Sequence, residues 1–215
     1  TPPTPRDAPI PYTPDGSDPT AASPRYTGPV EIGKSARFRA TALREGGENA
    51  SYSREFAFSK STGRPAVLNT KPNDSYTFEG ASLLVDGYHS RPVFTSGAWL
   101  GYLDEPLDVT IDMGGEQSYR SVELETLAEK GDWIFPPSSV TVWVSDNGTD
   151  FTEVASVTVP EAKAGDADGI GRYRMQFPET SARYLKVVAQ NAAAIPAWHP
   201  GAGSKGFLFV YGIVG

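Results

Sequence analysis

One stretch near the end of the chain places an aromatic and a titratable side chain next to each other. Residues 195–206 read I-P-A-W-H-P-G-A-G-S-K-G, and the apolar run F-L-F-V-Y-G-I-V follows. Pro and Gly favour a loop, and the β-branched and aromatic run favours a final strand. Such a loop would present Trp198 and His199 to solvent, as a ring face for stacking and a polar tip. The alternative is that Trp198 closes the end of a barrel and His199 caps a turn.

The composition excludes several classes of protein. The chain has 215 residues, 19 Lys+Arg, 26 Asp+Glu and no Cys. The net charge of −7 argues against nucleic-acid binding, and no apolar run is long enough to span a membrane. Residues 1–63 hold 8 Lys+Arg against 7 Asp+Glu, whereas residues 64–215 hold 11 against 19. This change in charge favours two domains.

Few residues could support catalysis. His89 and His199 are the only histidines, and the sequence contains no nucleophile elbow, phosphate-binding loop or zinc-protease motif. The carboxylate pairs Asp15/Asp18 and Asp166/Asp168 lie in Gly-containing turn sequences, where Asp side chains bond to nearby backbone. We therefore predict that this chain is not an enzyme.

The remaining pattern predicts an all-β protein. Arg37–Leu43 and Ser53–Phe58 alternate polar and apolar residues, which is typical of half-buried strands in a small module. Beyond a polar link near Gly63, eight strand candidates with polar turns predict a two-sheet sandwich of jelly-roll type. They are residues 65–68, 108–113, 120–127, 139–145, 151–159, 171–177, 182–189 and 207–214.

The first part resembles a known module. The run Y-T-P-D-G-S-D-P-T, followed by S-P-R-Y-T-G-P-V, is similar to the small β-sandwich after the catalytic barrel of bacterial chitobiases and β-hexosaminidases. Pro14 stands where that family more often has Leu. The resemblance covers Ile10 to about Phe58 and implies a non-catalytic module, which we place at residues 1–63.

The second part, residues 64–215, resembles the discoidin-like, coagulation factor 5/8 type C domain, carbohydrate-binding module family 32 in bacterial glycosidases. The resemblance rests on L-V-D-G, W-L-G-Y, V-T-I-D-M-G, V-W-V-S-D-N-G and A-R-Y-L-K-V, together with P-A-W-H-P-G-A-G. The two modules in this order recur in family 20 glycoside hydrolases. The resemblance therefore implies a segment of a β-N-acetylhexosaminidase that is periplasmic, secreted or on the cell surface, with its catalytic carboxylates upstream of Thr1.

The resemblance also implies glycan binding by loops of the jelly roll, with N-acetylglucosamine- or galactose-containing ligands. A pyranose needs an aromatic face and a few polar groups. We predict contacts from three loops, whereas Trp99 and Trp143 are expected to be structural. The predicted contacts are Tyr88, His89, Arg91, Trp133, Trp198 and His199. The alternative is a brace or interface for the upstream catalytic domain, because interfaces also favour Trp and Tyr.

Many discoidin-like modules hold a structural Ca²⁺ ion, and the resemblance assigns Asp86 to its first ligand position. The last strand of the family usually reads F-V-D-E-I, but here it is Phe209–Ile213 with the sequence F-V-Y-G-I. Gly212 therefore stands where the family has the ligand Glu. Since Ca²⁺ requires several oxygen ligands, we expect weak or absent Ca²⁺ binding and no other cofactor.

Overall fold

The computed structural model describes residues 9–43, 50–89 and 91–215, and the chain divides into two compact units, Thr1–Phe58 and Ser59–Gly215. The link residues at the start of the second unit pack into that unit. Ser61 is fully buried, and its hydroxyl donates to the carbonyl oxygen of Ile213 (2.6 Å). In the described residues, no helix is long and apolar enough to cross a membrane.

The first unit contains a three-stranded antiparallel sheet in the order β1-β2-β3. Its strands are β1 (Tyr12–Thr13), β2 (Ala36–Ala42) and β3 (Ala50–Phe56). Tyr12 and Phe38 stack with ring centroids 5.2 Å apart. In the turn after β1, the Asp15 carboxylate accepts a hydrogen bond from the Ser17 backbone N–H (3.0 Å), which is the turn role predicted for Asp15.

The second unit contains one sheet of seven strands with the order β5-β10-β6-β9-β7-β8, and β4 pairs with β6. Four short 3₁₀ helices, at residues 74–76, 80–84, 94–96 and 130–132, lie in its connections. The strands are β4 (Ala66–Leu68), β5 (Leu100–Tyr102), β6 (Leu107–Ala128), β7 (Ser139–Ser145), β8 (Thr152–Thr158), β9 (Gly169–Gln190) and β10 (Leu208–Val214).

Two long strands connect the layers of this antiparallel β-sandwich. Strands β6 and β9 pair along their length, with breaks in register between Asp112 and Gln117 and between Tyr119 and Ser121. Before the breaks β6 also pairs with β4, and after them it pairs with β10. Such irregularities bend strands, so each long strand contributes to both layers.

Alternate residues of these strands form the core between the layers. From β6, Val109 and Ile111 are fully buried, and from β7 and β9 Val142 and Val187 are as well. The period of two in burial follows from the pleat, because successive side chains point to opposite faces. The sandwich core is therefore continuous and apolar.

Because both long strands bend, their two ends lie at the same end of the sandwich. Strand β5 pairs with β10 where β10 also pairs with the end of β6, and residues 103–106 alone separate β5 from the start of β6. The two ends of β9 pair with the two ends of β6. The name loop end is used here for four of the connections that leave the strands there. They are residues 103–106, 129–138, 159–168 and 191–207.

Candidate functional site

A buried histidine joins two segments of the loop end. The His199 side chain is only 8% exposed. The backbone N–H of Gly201 donates to His199 Nδ1 (3.1 Å), so the ring proton is on Nε2, which donates to the Lys130 carbonyl oxygen (2.9 Å). A neutral imidazole therefore links residues 129–138 to residues 191–207, with both nitrogens committed to backbone groups.

Three aromatic rings surround this imidazole. Trp133, Phe135 and Trp198 meet it edge to face, with centroids 5.9, 5.5 and 5.6 Å from the His199 ring. Phe135 is buried, whereas Trp133 and Trp198 are 42% and 39% exposed. Edge-to-face contacts of this kind are favourable, so the two indoles are held on a common support while part of each stays in solvent.

The two exposed indoles have fixed positions. Trp133 adopts a left-handed backbone conformation with φ of 63°, which is rare for residues other than Gly. Its ring lies against Gly201, where an added Cβ would come within 2.7 Å of the indole. The Trp198 Nε1–H donates to the carbonyl oxygen of Ala162 (2.9 Å). Backbone strain and a dedicated hydrogen bond therefore define where the rings point.

A buried lysine, Lys130, lies in the short 3₁₀ helix just before Trp133. The Lys130 ammonium group donates to the carbonyl oxygen of Asp166 (2.8 Å) and bonds the Asp168 carboxylate. This hydrogen bond keeps the pKa of Asp168 below its ordinary value. Burial, followed by repulsion from Asp132, raises the pKa of Glu129. Lys130 thus connects residues 129–138 to residues 159–168 with its charge compensated.

An apolar groove lies beside Trp198. Its volume is about 350 Å³, and most of its wall consists of Pro, Ala and branched aliphatic side chains. Ala162 and Ala197, the hydrogen-bond partner and the chain neighbour of Trp198, form part of the wall. The groove is an apolar recess of the size that small ligands occupy, and the exposed indole lies next to its wall.

The three residues predicted from the first loop lie in a second cluster. His89 Nδ1 is 2.6 Å from the Glu125 carboxylate, and the Arg91 carbonyl oxygen accepts a hydrogen bond from Trp99 Nε1–H (3.1 Å). The Tyr88 side chain is partly buried and packs against the core. The structure therefore brings Trp133, Trp198 and His199 together, and gives Tyr88, His89 and Arg91 different surroundings.

The predicted metal residue is close to this second cluster. Asp86 accepts hydrogen bonds from the Tyr88 backbone N–H (2.9 Å) and from the Tyr211 hydroxyl (2.7 Å). Gly212 is the extra residue of a bulge in β10, with φ of 42°. In the described part of the chain, no group of three or more His, Cys, Asp and Glu residues is arranged to hold a metal ion.

One expectation about His199 is wrong. The Pro- and Gly-rich loop predicted an exposed imidazole, but the ring is buried because it satisfies backbone groups of two loops, as in the turn-capping alternative. The groove wall was not predicted from the sequence. Its signal is the run A-A-A-I-P-A at residues 192–197, small and apolar side chains that leave room for a ligand.

Comparisons with known proteins follow the division into two units. Residues 69–204 match the family model described as F5/8 type C domain, and residues 3–54 match that of the chitobiase/beta-hexosaminidase C-terminal domain. No curated protein matches the chain. Both resemblances seen in the sequence are therefore confirmed.

Solved structures similar to the chain include several modules of bacterial enzymes. Chitosan-binding module 1 from the chitosanase/glucanase of Paenibacillus sp. IK-5 is 18% identical, covering 73% of this chain and 96% of that one, with a TM-score of 0.46. CpGH89CBM32-5 from Clostridium perfringens, in complex with GalNAc-β-1,3-galactose, is 16% identical, covering 69% and 91%, with a TM-score of 0.46. The match to the F5/8 type C model covers more than half of the chain. This chain belongs to the F5/8 type C domain family.

Proposed function

We propose that the chain is a non-catalytic carbohydrate-binding region whose second unit binds glycan at the loop end. The observation that carries this proposal is the pair of exposed indoles, Trp133 and Trp198, held on buried His199 beside an apolar groove. The C–H face of a pyranose stacks on such rings, and its hydroxyl groups remain available to polar groups and water.

The geometry supports modest affinity. The two rings are each more than half covered by their own chain, so a bound sugar stays partly hydrated. We expect a Kd of ~0.1–1 mM, which corresponds to about −5.5 to −4.1 kcal/mol. Ligands containing N-acetylglucosamine or galactose are proposed on the basis of the family resemblance.

The proposal includes a parent enzyme. The match of residues 3–54 to a chitobiase/beta-hexosaminidase C-terminal domain supports an upstream hexosaminidase domain in the same chain, at the cell surface, in the periplasm or secreted. In this segment, His199 is hydrogen-bonded to backbone groups and His89 to the buried Glu125 carboxylate. We therefore assign the chemistry of the parent to the upstream domain and recognition to this chain.

Calorimetry on three variants tests the proposed site. We expect Trp198→Ala and Trp133→Ala each to weaken glycan binding at least about tenfold, or 1.4 kcal/mol, because each removes a stacking face. Phe78→Ala is the matched control, since Phe78 is 47% exposed and also has positive φ but lies outside the loop end. Equal affinity in all three variants would contradict the proposed site.

The same measurement addresses the brace alternative. If a broad glycan panel gives no heat with the unmodified chain, the exposed indoles are better explained as contacts to the upstream domain. Acrylamide quenching of Trp fluorescence, compared with and without that domain, would then show reduced access to Trp133 and Trp198.

A further inference from the structure

We propose that a network of protein side chains, and not a calcium ion, fixes the segment that carries Asp86, His89 and Arg91 within the second unit. This segment is attached at three points. The Asp86 carboxylate accepts a hydrogen bond from the Tyr211 hydroxyl, and the Arg91 carbonyl oxygen accepts one from the Trp99 indole N–H. The third point is the hydrogen bond between the His89 ring and the Glu125 carboxylate. Each partner lies in or immediately before a strand of the sheet, so the segment is fixed to the rigid part of the fold.

The network is centred on a buried carboxylate. Glu125 is 1% exposed and lies opposite Arg172 in the β6–β9 pairing. Its Oε1 is 2.7 Å from Arg172 Nε and 2.6 Å from His89 Nδ1. A buried carboxylate is strongly destabilising unless a positive group compensates it, and the guanidinium is charged at all relevant pH values. Arg172 therefore supplies the positive charge that the buried Glu125 carboxylate requires.

The residues present do not fit calcium. A Ca²⁺ ion takes six to eight oxygen ligands, with carboxylates prominent among them. Both Asp86 oxygens accept hydrogen bonds from protein donors, and Gly212 offers no side chain. A cation beside Glu125 would also be repelled by Arg172, which is in direct contact with that carboxylate.

One carboxylate oxygen of Glu125 could still contact a cation. Glu125 Oε2 is buried and has no hydrogen-bond partner in the part of the chain that the structure describes. It lies 3.8 Å from where a Cβ on Gly212 would be, and the Tyr88 carbonyl oxygen lies 3.6 Å from the same point. Because these two oxygens lie near one point, calcium binding has to be measured directly.

The proposal is tested by measuring the Tm of the complete chain in EDTA and in excess CaCl₂. We expect the Tm of the unmodified protein to be the same in both. A bound ion at a hundredfold excess over its Kd would raise the Tm by about 5–10 °C for a unit of this size. A rise of that size would overturn the proposal.

Variants test the network itself. Arg172→Gln is expected to lower the Tm and to speed hydrogen exchange in residues 86–93. Arg172→Lys keeps the positive charge, so we expect its Tm and its exchange rates to lie between those of Arg172→Gln and the unmodified protein. The double variant Arg172→Gln with Glu125→Gln should regain part of the lost Tm, because it no longer has an uncompensated buried carboxylate. The matched control is Arg174→Gln, on the same strand but bonded to Ser121. Equal effects of Arg172→Gln and Arg174→Gln on Tm and exchange would also overturn the proposal.

Discussion

Replacing His199 by Phe separates its hydrogen bonds from its packing. The phenyl ring keeps contacts with the surrounding aromatic rings but removes both bonds to backbone groups. The N–H of Gly201 then loses its acceptor, and the Lys130 carbonyl oxygen keeps only the bond from the Trp133 N–H (3.0 Å). A buried unpaired donor costs about 1–3 kcal/mol and a lost hydrogen bond about 1 kcal/mol. We therefore expect a loss of about 2–4 kcal/mol in the free energy of unfolding.

Differential scanning calorimetry measures this loss. For a unit of this size, 1 kcal/mol shifts the Tm by roughly 2–4 °C, so the variant should melt about 4–16 °C lower. Lys205→Met is the control. It removes an ion pair with Asp104 in which both side chains are exposed, and such pairs contribute about 0–1 kcal/mol to the free energy of unfolding. If His199→Phe and Lys205→Met have the same Tm, the role given to the imidazole is refuted.

Three further predictions concern the loop end and the sheet. Gly201→Ala places a Cβ 2.7 Å from the Trp133 ring, so we expect weaker glycan binding by calorimetry with all aromatic residues retained. Hydrogen bonds from Arg183 lower the pKa of Asp112 from 3.8 to about 2, so Asp112 contributes stability above pH 3.8 that is lost as the pH falls towards 2. Chemical unfolding should therefore show Asp112→Asn destabilised near neutral pH, with the difference from the unmodified protein shrinking as the pH falls from 3.8 through 2. The loop end carries seven carboxylates and three lysines, so uronic or sulfated glycans should bind more weakly than neutral glycans in the same titration.

The fold was largely predictable from the sequence because strand patterns are local. The alternation of Val140, Val142 and Val144 predicted β7, and the structure confirms it. The candidates at residues 108–113 and 120–127 are halves of the single bent strand β6. Their continuity depends on pairing with β9, which is a long-range property. Strand β5 was missed because Leu100–Tyr102 is too short to show alternation.

The site was only partly predictable. Trp133 and Trp198 belong to different loops, and the Pro- and Gly-rich sequence around each indicated exposure. Their common support on His199 depends on hydrogen bonds between loops far apart in the chain. Likewise, Arg172 and Glu125 are 47 residues apart, and only the sheet register shows that they compensate each other. Sequence spacing carries no information about such contacts.

The most direct test of the central claim is a titration of the chain with glycans containing N-acetylglucosamine or galactose, followed by the indole N–H signals in two-dimensional NMR. The chain has four Trp residues, and Trp99 is fully buried. We predict that the signals of Trp133 and Trp198 shift with ligand concentration while those of Trp99 and Trp143 do not. If all four signals stay unchanged at about tenfold excess over the expected Kd, glycan binding at the loop end is contradicted.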